Sequence, residues 1–203
     1  MKIKSAVFEV SAPELDGCPR WALPEFAFIG RSNVGKSSMI NLLTERRELA
    51  KVSDLPGKTK LINFFVINDR WSLVDLPGYG YAHVGKKQRL EFNDAVAGFL
   101  EGRKNLRRVF VLIDSRLEPQ AIDLEFVQWL ENCRAPYALV FTKSDKQSAA
   151  QSQGKIDLFK QRVREWRAEL PPVFLTSAKT GNGRSDILGY IEQTMVQANR
   201  AHV

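Results

Sequence analysis

The eight residues Gly30-Arg31-Ser32-Asn33-Val34-Gly35-Lys36-Ser37 constrain this chain more than any other stretch, because they follow the pattern Gly, four residues, then Gly-Lys-Ser. Such a loop works only between a strand and a helix. Phe26-Ala27-Phe28-Ile29 before it is an apolar run of strand length, and Met39, Ile40, Leu42 and Leu43 after it recur at the spacing of one helix face. The glycines let successive backbone N–H groups turn inward around a phosphate, and a helix starting near Gly35 adds the positive end of its dipole. On this reading Lys36 supplies a point charge to the β- and γ-phosphates and the Ser37 hydroxyl ligates Mg²⁺. The loop alone leaves the nucleotide unidentified.

Around this loop the chain alternates strands and helices. Apolar runs predict strands at 61–67, 71–75, 109–114, 137–141 and 173–175, with Asn68-Asp69-Arg70 turning the first two into a hairpin. Helical periodicity covers about 86–100, 121–132, 156–170 and 185–198. Residues 49–60 are polar, broken by Pro56-Gly57, and read as a mobile loop. The expectation is one α/β domain at 25–198, a mostly parallel six-stranded sheet with helices on both faces. Residues 1–24 read as a lead-in packed on it, with edge-strand alternation at Ile3, Ala6, Phe8 and Val10, and 199–203 as a tail.

Composition narrows the partners. The 30 basic against 23 acidic residues give a net charge of +7, which favours an anionic partner such as nucleic acid or a nucleoprotein. Basic groups cluster at Lys86-Lys87-Gln88-Arg89, Arg103-Lys104, Arg107-Arg108 and along 160–167, though solvated helix faces give the same pattern. Cys18 and Cys133 stand far apart without ligand-spaced partners, so neither zinc nor a disulfide framework is indicated and a reducing cytoplasm fits. No run approaches the roughly 18 apolar residues of a membrane span, and no signal-peptide core follows the first lysines.

Several polar motifs fall just after predicted strands, which brings them to the same sheet edge as the phosphate loop. Asp75-Leu76-Pro77-Gly78 ends one strand. Its Asp can hold Mg²⁺ through water and its Gly78 N–H can meet a γ-phosphate, although the same residues also make an ordinary turn. Thr142-Lys143-Ser144-Asp145 ends another, and the Asp145 carboxylate is the acceptor pair that two adjacent N–H donors on guanine require. Adenine offers no such pair, so an adenine-nucleotide kinase leaves this motif unexplained. The Lys143 stem can lie across the base face. Ser177-Ala178-Lys179 follows the last strand, where the Ala178 N–H can reach the guanine carbonyl. Thr59 is the one threonine between the loop and Asp75 outside the first helix, and it can close onto Mg²⁺ when γ-phosphate is present.

Taken together these residues resemble the Ras-like GTP-binding proteins, and more narrowly the EngB (YihA/YsxC-type) branch of the TrmE-Era-EngA-EngB superfamily. Gly30 to Ser38, Pro56 to Thr59, Asp75 to Ala82 and Thr142 to Asp145 carry the likeness. It implies a cytoplasmic GTPase needed for assembly of the large ribosomal subunit, with a role in cell division and septation; the chain is expected to act as a monomer. Its nucleotide contacts would come from Gly30, Arg31, Ser32, Asn33, Val34, Gly35, Lys36, Ser37 and Ser38, then Gly57, Lys58 and Thr59. Asp75, Leu76, Pro77 and Gly78 would follow, with Thr142, Lys143, Ser144, Asp145, Thr176, Ser177, Ala178 and Lys179 around the base. Ser37, Thr59 and Asp75 would serve Mg²⁺, and Lys36, Asn33, Thr59 and Gly78 the hydrolysis of GTP to GDP.

Two departures from the wider Ras-like pattern bear on that picture. Thr142 stands where many relatives carry Asn, which puts the side-chain bond to the phosphate loop in doubt. No water-orienting Gln follows Gly78, the nearest being Gln88, so unassisted hydrolysis should be slow. Asn33 occupies the position that in related GTPases helps hold K⁺ beside the phosphates, or it merely caps the loop. Tyr79, Tyr81 and His83 with Lys86, Lys87 and Arg89 suit contact with ribosomal RNA or protein, or a loop packed on its own domain. The alternative to a switch enzyme is a nucleotide-dependent binding module with little hydrolysis.

Overall fold

The computed structural model describes residues 1–47, 49–50, 61–80 and 86–200, the stretches 86–93 and 198–200 by their helical backbone alone. The strands are β1 (Ala6–Ala12), β2 (Glu25–Gly30), β3 (Ile62–Ile67), β4 (Trp71–Asp75), β5 (Leu106–Asp114), β6 (Tyr137–Thr142) and β7 (Val173–Leu175). The helices are α1 (Lys36–Thr44), α2 (Lys86–Gly102), α3 (Ala121–Asn132), α4 (Ala149–Arg164) and α5 (Arg184–Arg200). They build one sheet in the order β1-β3-β4-β2-β5-β6-β7. β3 runs antiparallel to β1 and β4, and the other neighbours are parallel.

Period-two alternation sorts the central strands between two apolar clusters. Ala27 and Ile29 of β2, Val109, Val111 and Ile113 of β5 and Leu139 of β6 face one cluster, which α2, α3 and α4 cover with Phe99, Val127 and Phe159. Phe26 and Phe28, Phe110 and Leu112, and Val140 face the other, covered by Ile40 and Leu43 of α1 and Ile187 and Ile191 of α5. Burial on both faces is why these strands read as continuous apolar runs.

Seven strands stand where the pattern predicts six. Ala6–Ala12 pairs along β3, Ala6 opposite Ile67 and Ala12 opposite Ile62. Val7 and Phe8 remain more than half exposed, at 57% and 51%, so backbone hydrogen bonds hold this edge more than burial does. The hairpin turn fixes the register. Asn68 and Asp69 adopt left-handed φ values of 51° and 54°, which their short polar side chains tolerate. Asn68 Oδ1 then accepts from the N–H groups of Lys4 and Ser5, at 2.6 and 3.1 Å.

At the amino end of β2 the fully buried Glu25 accepts two bonds from Arg103 and one from Trp21 Nε1. Arg167 likewise pairs with Glu131, so two of the basic groups that suggested an anionic partner are taken up by ion pairs within the chain. Helix α4 begins seven residues earlier than periodicity predicts. Ser148 and Gln151 form a reciprocal capping box there, and the helix ends at Arg164, well before Pro171-Pro172.

Candidate functional site

The phosphate loop leaves the carboxyl end of β2, the strand flanked by β4 and β5 at the centre of the sheet. Gly35 caps α1 with φ 104°, a conformation that favours glycine, and its carbonyl starts the helix by accepting from Met39 N–H at 2.9 Å. Lys36, in the first turn, pairs with Asp75 at the end of β4. The Asp75 side chain is 6% exposed, so it meets that ammonium in a largely desolvated pocket. Gly78 comes next. A Cβ there would stand 2.6 Å from Gly30 O, so only glycine lets the segment after β4 lie this close to the loop. Tyr79 N–H donates to the same carbonyl at 3.3 Å.

From the other side, β6 delivers the second motif. The Thr142 hydroxyl donates to Val34 O at 2.7 Å, with Ile113 O a second acceptor at 3.2 Å. The link to the phosphate loop that replacing Asn puts in doubt is therefore made, by a shorter side chain. Lys143 has a left-handed backbone, φ 62°, and its Nζ reaches Asn33 O at 2.6 Å and Asp114 Oδ2 at 2.8 Å. Asp145 Oδ1 accepts from Ser177 Oγ at 2.7 Å, while Oδ2 is buried without a hydrogen-bond partner among the described residues; Lys146 Nζ is 4.0 Å away. The Ser177 hydroxyl, by donating, holds the Asp145 carboxyl below the usual carboxylate range. Ser177 Oγ also accepts from the N–H groups of Lys179 and Thr180, and Ser144 N–H donates to Thr176 O at 3.1 Å. The turn 176–179 is thus pinned beside Asp145, with Ala178 at its exposed side.

Gly57, Lys58 and Thr59 lie outside the described residues, as do Tyr81 and His83 and the side chains of Lys86, Lys87 and Arg89. Ser32, Ser37, Ser38, Leu76 and Pro77 sit on the loop, the first turn of α1 and the segment after β4, where the motifs predict them.

Two clusters went unread in the sequence. Asp123 in the first turn of α3 is 1% exposed, and its Oδ1 accepts from Tyr79 OH at 2.9 Å and Arg31 Nε at 3.1 Å. The Tyr79 ring stacks on Phe126 with centroids 4.2 Å apart. Tyr79 therefore packs into its own domain rather than facing a partner. Burial, followed by the Asp123 charge, pushes the Tyr79 phenol well above its ordinary range; burial also raises Asp123, against the pull of Arg31. The other cluster is Asp114, at the end of β5. It takes Arg116 Nε at 2.9 Å, Arg116 Nη2 at 2.8 Å, Arg116 N–H at 3.1 Å and the Lys143 ammonium. Burial alone would raise its carboxyl, but the bonds from Arg116 and Lys143 win and hold it at about 2. A charged pair two residues apart at a strand end was the available signal.

A family profile described as "50S ribosome-binding GTPase" matches residues 25–143. A probable GTP-binding protein EngB of Christiangramia forsetii is 50% identical over 192 residues, covering 95% of this chain and 97% of the relative. The chain belongs to the EngB family of GTP-binding proteins. A second EngB relative, from Bacteroides fragilis, is 47% identical over 199 residues, 98% of this chain and 99% of its own. The crystal structure of a probable engB protein superposes with a TM-score of 0.70, covering 85% of this chain and 99% of that one. At 23% identity that likeness speaks to the fold, which is Ras-like. No helix among the described residues of this EngB-family chain is long and apolar enough to cross a membrane.

Proposed function

We propose that this chain binds GTP with Mg²⁺ at the carboxyl edge of its sheet and hydrolyses it to GDP and phosphate. The cycle would act as a cytoplasmic switch in assembly of the large ribosomal subunit, with an associated role in cell division and septation. The observation that carries the nucleotide reading is Asp145 Oδ2, a buried acceptor beside the phosphate loop without a hydrogen-bond partner among the described residues. A carboxylate kept ionised and half-satisfied by Ser177 is suited to the paired donors of guanine. Lys143 and the exposed Ala178 flank the same position, and Thr176 holds the turn that carries Ala178.

At the other end, Gly30 to Ser38 surround the phosphates, and Lys36 exchanges its Asp75 partner for phosphate oxygens. Mg²⁺ fits the donors present. Asp75 is a nearly buried carboxylate neutralised by the lysine that phosphate would recruit, and Ser37 is in the adjacent first helical turn. Bound there with help from Thr59, the ion would neutralise charge on the β- and γ-oxygens. Gly78 N–H, held close to Gly30, is suited to sense the γ-phosphate. Asn33, exposed on the loop with φ 59°, is the candidate for assistance by K⁺.

The ribosomal partner, a particle of RNA and protein met by a monomer, is supported by the family's description and by the net charge of +7. A second reading, a guanine-nucleotide-dependent binding module with little hydrolysis, draws on Tyr79. The residue after Gly78 is pinned inward on Asp123 and cannot orient a water molecule. Single-turnover hydrolysis of GTP with and without large ribosomal subunits separates the two. Slow turnover that subunits accelerate is expected; hydrolysis in neither condition would leave only the binding module.

A further inference from the structure

We infer that Asp114 is a positioning residue for the nucleotide, presetting Lys143 across the base site while Lys143 anchors the phosphate loop through Asn33 O. The inference rests on the GTP reading above and extends it to a residue outside the recognised motifs. The geometry is a relay. Asp114 ends β5, one strand from Thr142 at the end of β6, and the two are register partners. Its side chain is 7% exposed, and all its described bonds come from Arg116 and Lys143.

Arg116 grips both carboxylate oxygens in a fork, which fixes the plane of the acid and aims Oδ2 at Lys143 Nζ. Lys143 needs that aim. Its backbone is left-handed, its stem must run alongside the loop, and its ammonium must reach one carbonyl, Asn33 O. A four-carbon side chain left to itself samples many rotamers, and each one frozen costs entropy on binding. An ion pair formed before the ligand arrives removes that cost from the binding step. Asp114 also returns negative charge beside two cations, Arg116 and Lys143, that would otherwise repel each other.

The test is the dissociation rate of methylanthraniloyl-GDP from the full chain, measured for wild type, Asp114→Asn, Lys143→Met and the double variant. Asp114→Asn keeps the shape and loses the charge, and should speed dissociation by about ten- to a hundredfold, the range for a bond to a charged group. In the Lys143→Met background the same change should add less than about twofold, because the residue through which it acts is gone. Arg116→Ala, which leaves the Asp114–Lys143 pair in place, should have a smaller effect than Asp114→Asn. A merely structural Asp114 would add the same factor in both backgrounds and lower the melting temperature of the nucleotide-free chain in parallel. That result overturns the inference, as does an unchanged rate in Asp114→Asn. Failure of the wild type to bind the probe refutes the GTP reading itself.

Discussion

Replacing Thr142 by Val tests whether the two nucleotide motifs are joined through one hydroxyl. The side chains are near-isosteric, so the change removes a donor without opening a cavity. Thr142 is 3% exposed, and its hydroxyl serves Val34 O at 2.7 Å and Ile113 O at 3.2 Å. Ile113 O belongs to a strand, while Val34 O lies in the loop and loses a short bond. A buried carbonyl left without its partner costs about 1–3 kcal/mol. For a chain of this length each kcal/mol lowers the melting temperature by about 2–4 °C. With about 2 kcal/mol at stake, Thr142→Val should melt about 4–8 °C lower in the nucleotide-free form, by calorimetry. Dissociation of methylanthraniloyl-GDP should also quicken, because the loop loses its tether to the end of β6. Thr142→Ser, which keeps the donor, should recover most of the dissociation rate. A valine variant with wild-type melting and wild-type dissociation would show that this bond carries nothing.

Two further outcomes follow from the same geometry. Asp145→Asn should move preference from guanine to xanthine nucleotides, since the amide can donate to the extra carbonyl; competition between GTP and XTP reads this, and retained GTP selectivity would refute the base assignment. Replacing Na⁺ by K⁺ should accelerate GTP turnover in the wild type and not in Asn33→Ala, measured as phosphate release; equal rates in both salts would remove Asn33 from the reaction.

Much of the fold was legible because it is local. A strand buried on both faces must be apolar along its length, and 109–113 and 137–141 read that way in the sequence alone. The seventh strand was harder. Val7 and Phe8 are largely exposed on β1, so its alternation carried little information about burial. Its place depends on a ladder to β3 fifty or more residues away and on Asn68 receiving two N–H groups from the amino-terminal segment. Periodicity alone starts α4 too late, whereas the capping pattern Ser148-x-x-Gln151 marks its start in the sequence.

The site divides along the same line, and the division has a physical reason. Glycines that bend a loop and an acid suited to the paired donors of guanine are chemical requirements at particular positions, so a motif reveals them. What holds the loop in place is different. Thr142 and Lys143 both end on backbone carbonyls, those of Val34 and Asn33, and every residue has a carbonyl. Acceptors of that kind leave no trace in the sequence, and a donor can change from Asn to Thr while the bond survives. On the opposite flank the loop is held by a side chain, Arg31, through an acid, Asp123, shared with Tyr79. The loop is therefore tied on one side to the segment after β6 and on the other to the segment after Gly78. Any displacement of Tyr79 must break a bond to the acid that also holds Arg31. Tyr79 and Arg31 thereby share one acid on α3, so the segment after Gly78 and the loop are linked there and not through the Thr142 and Lys143 contacts.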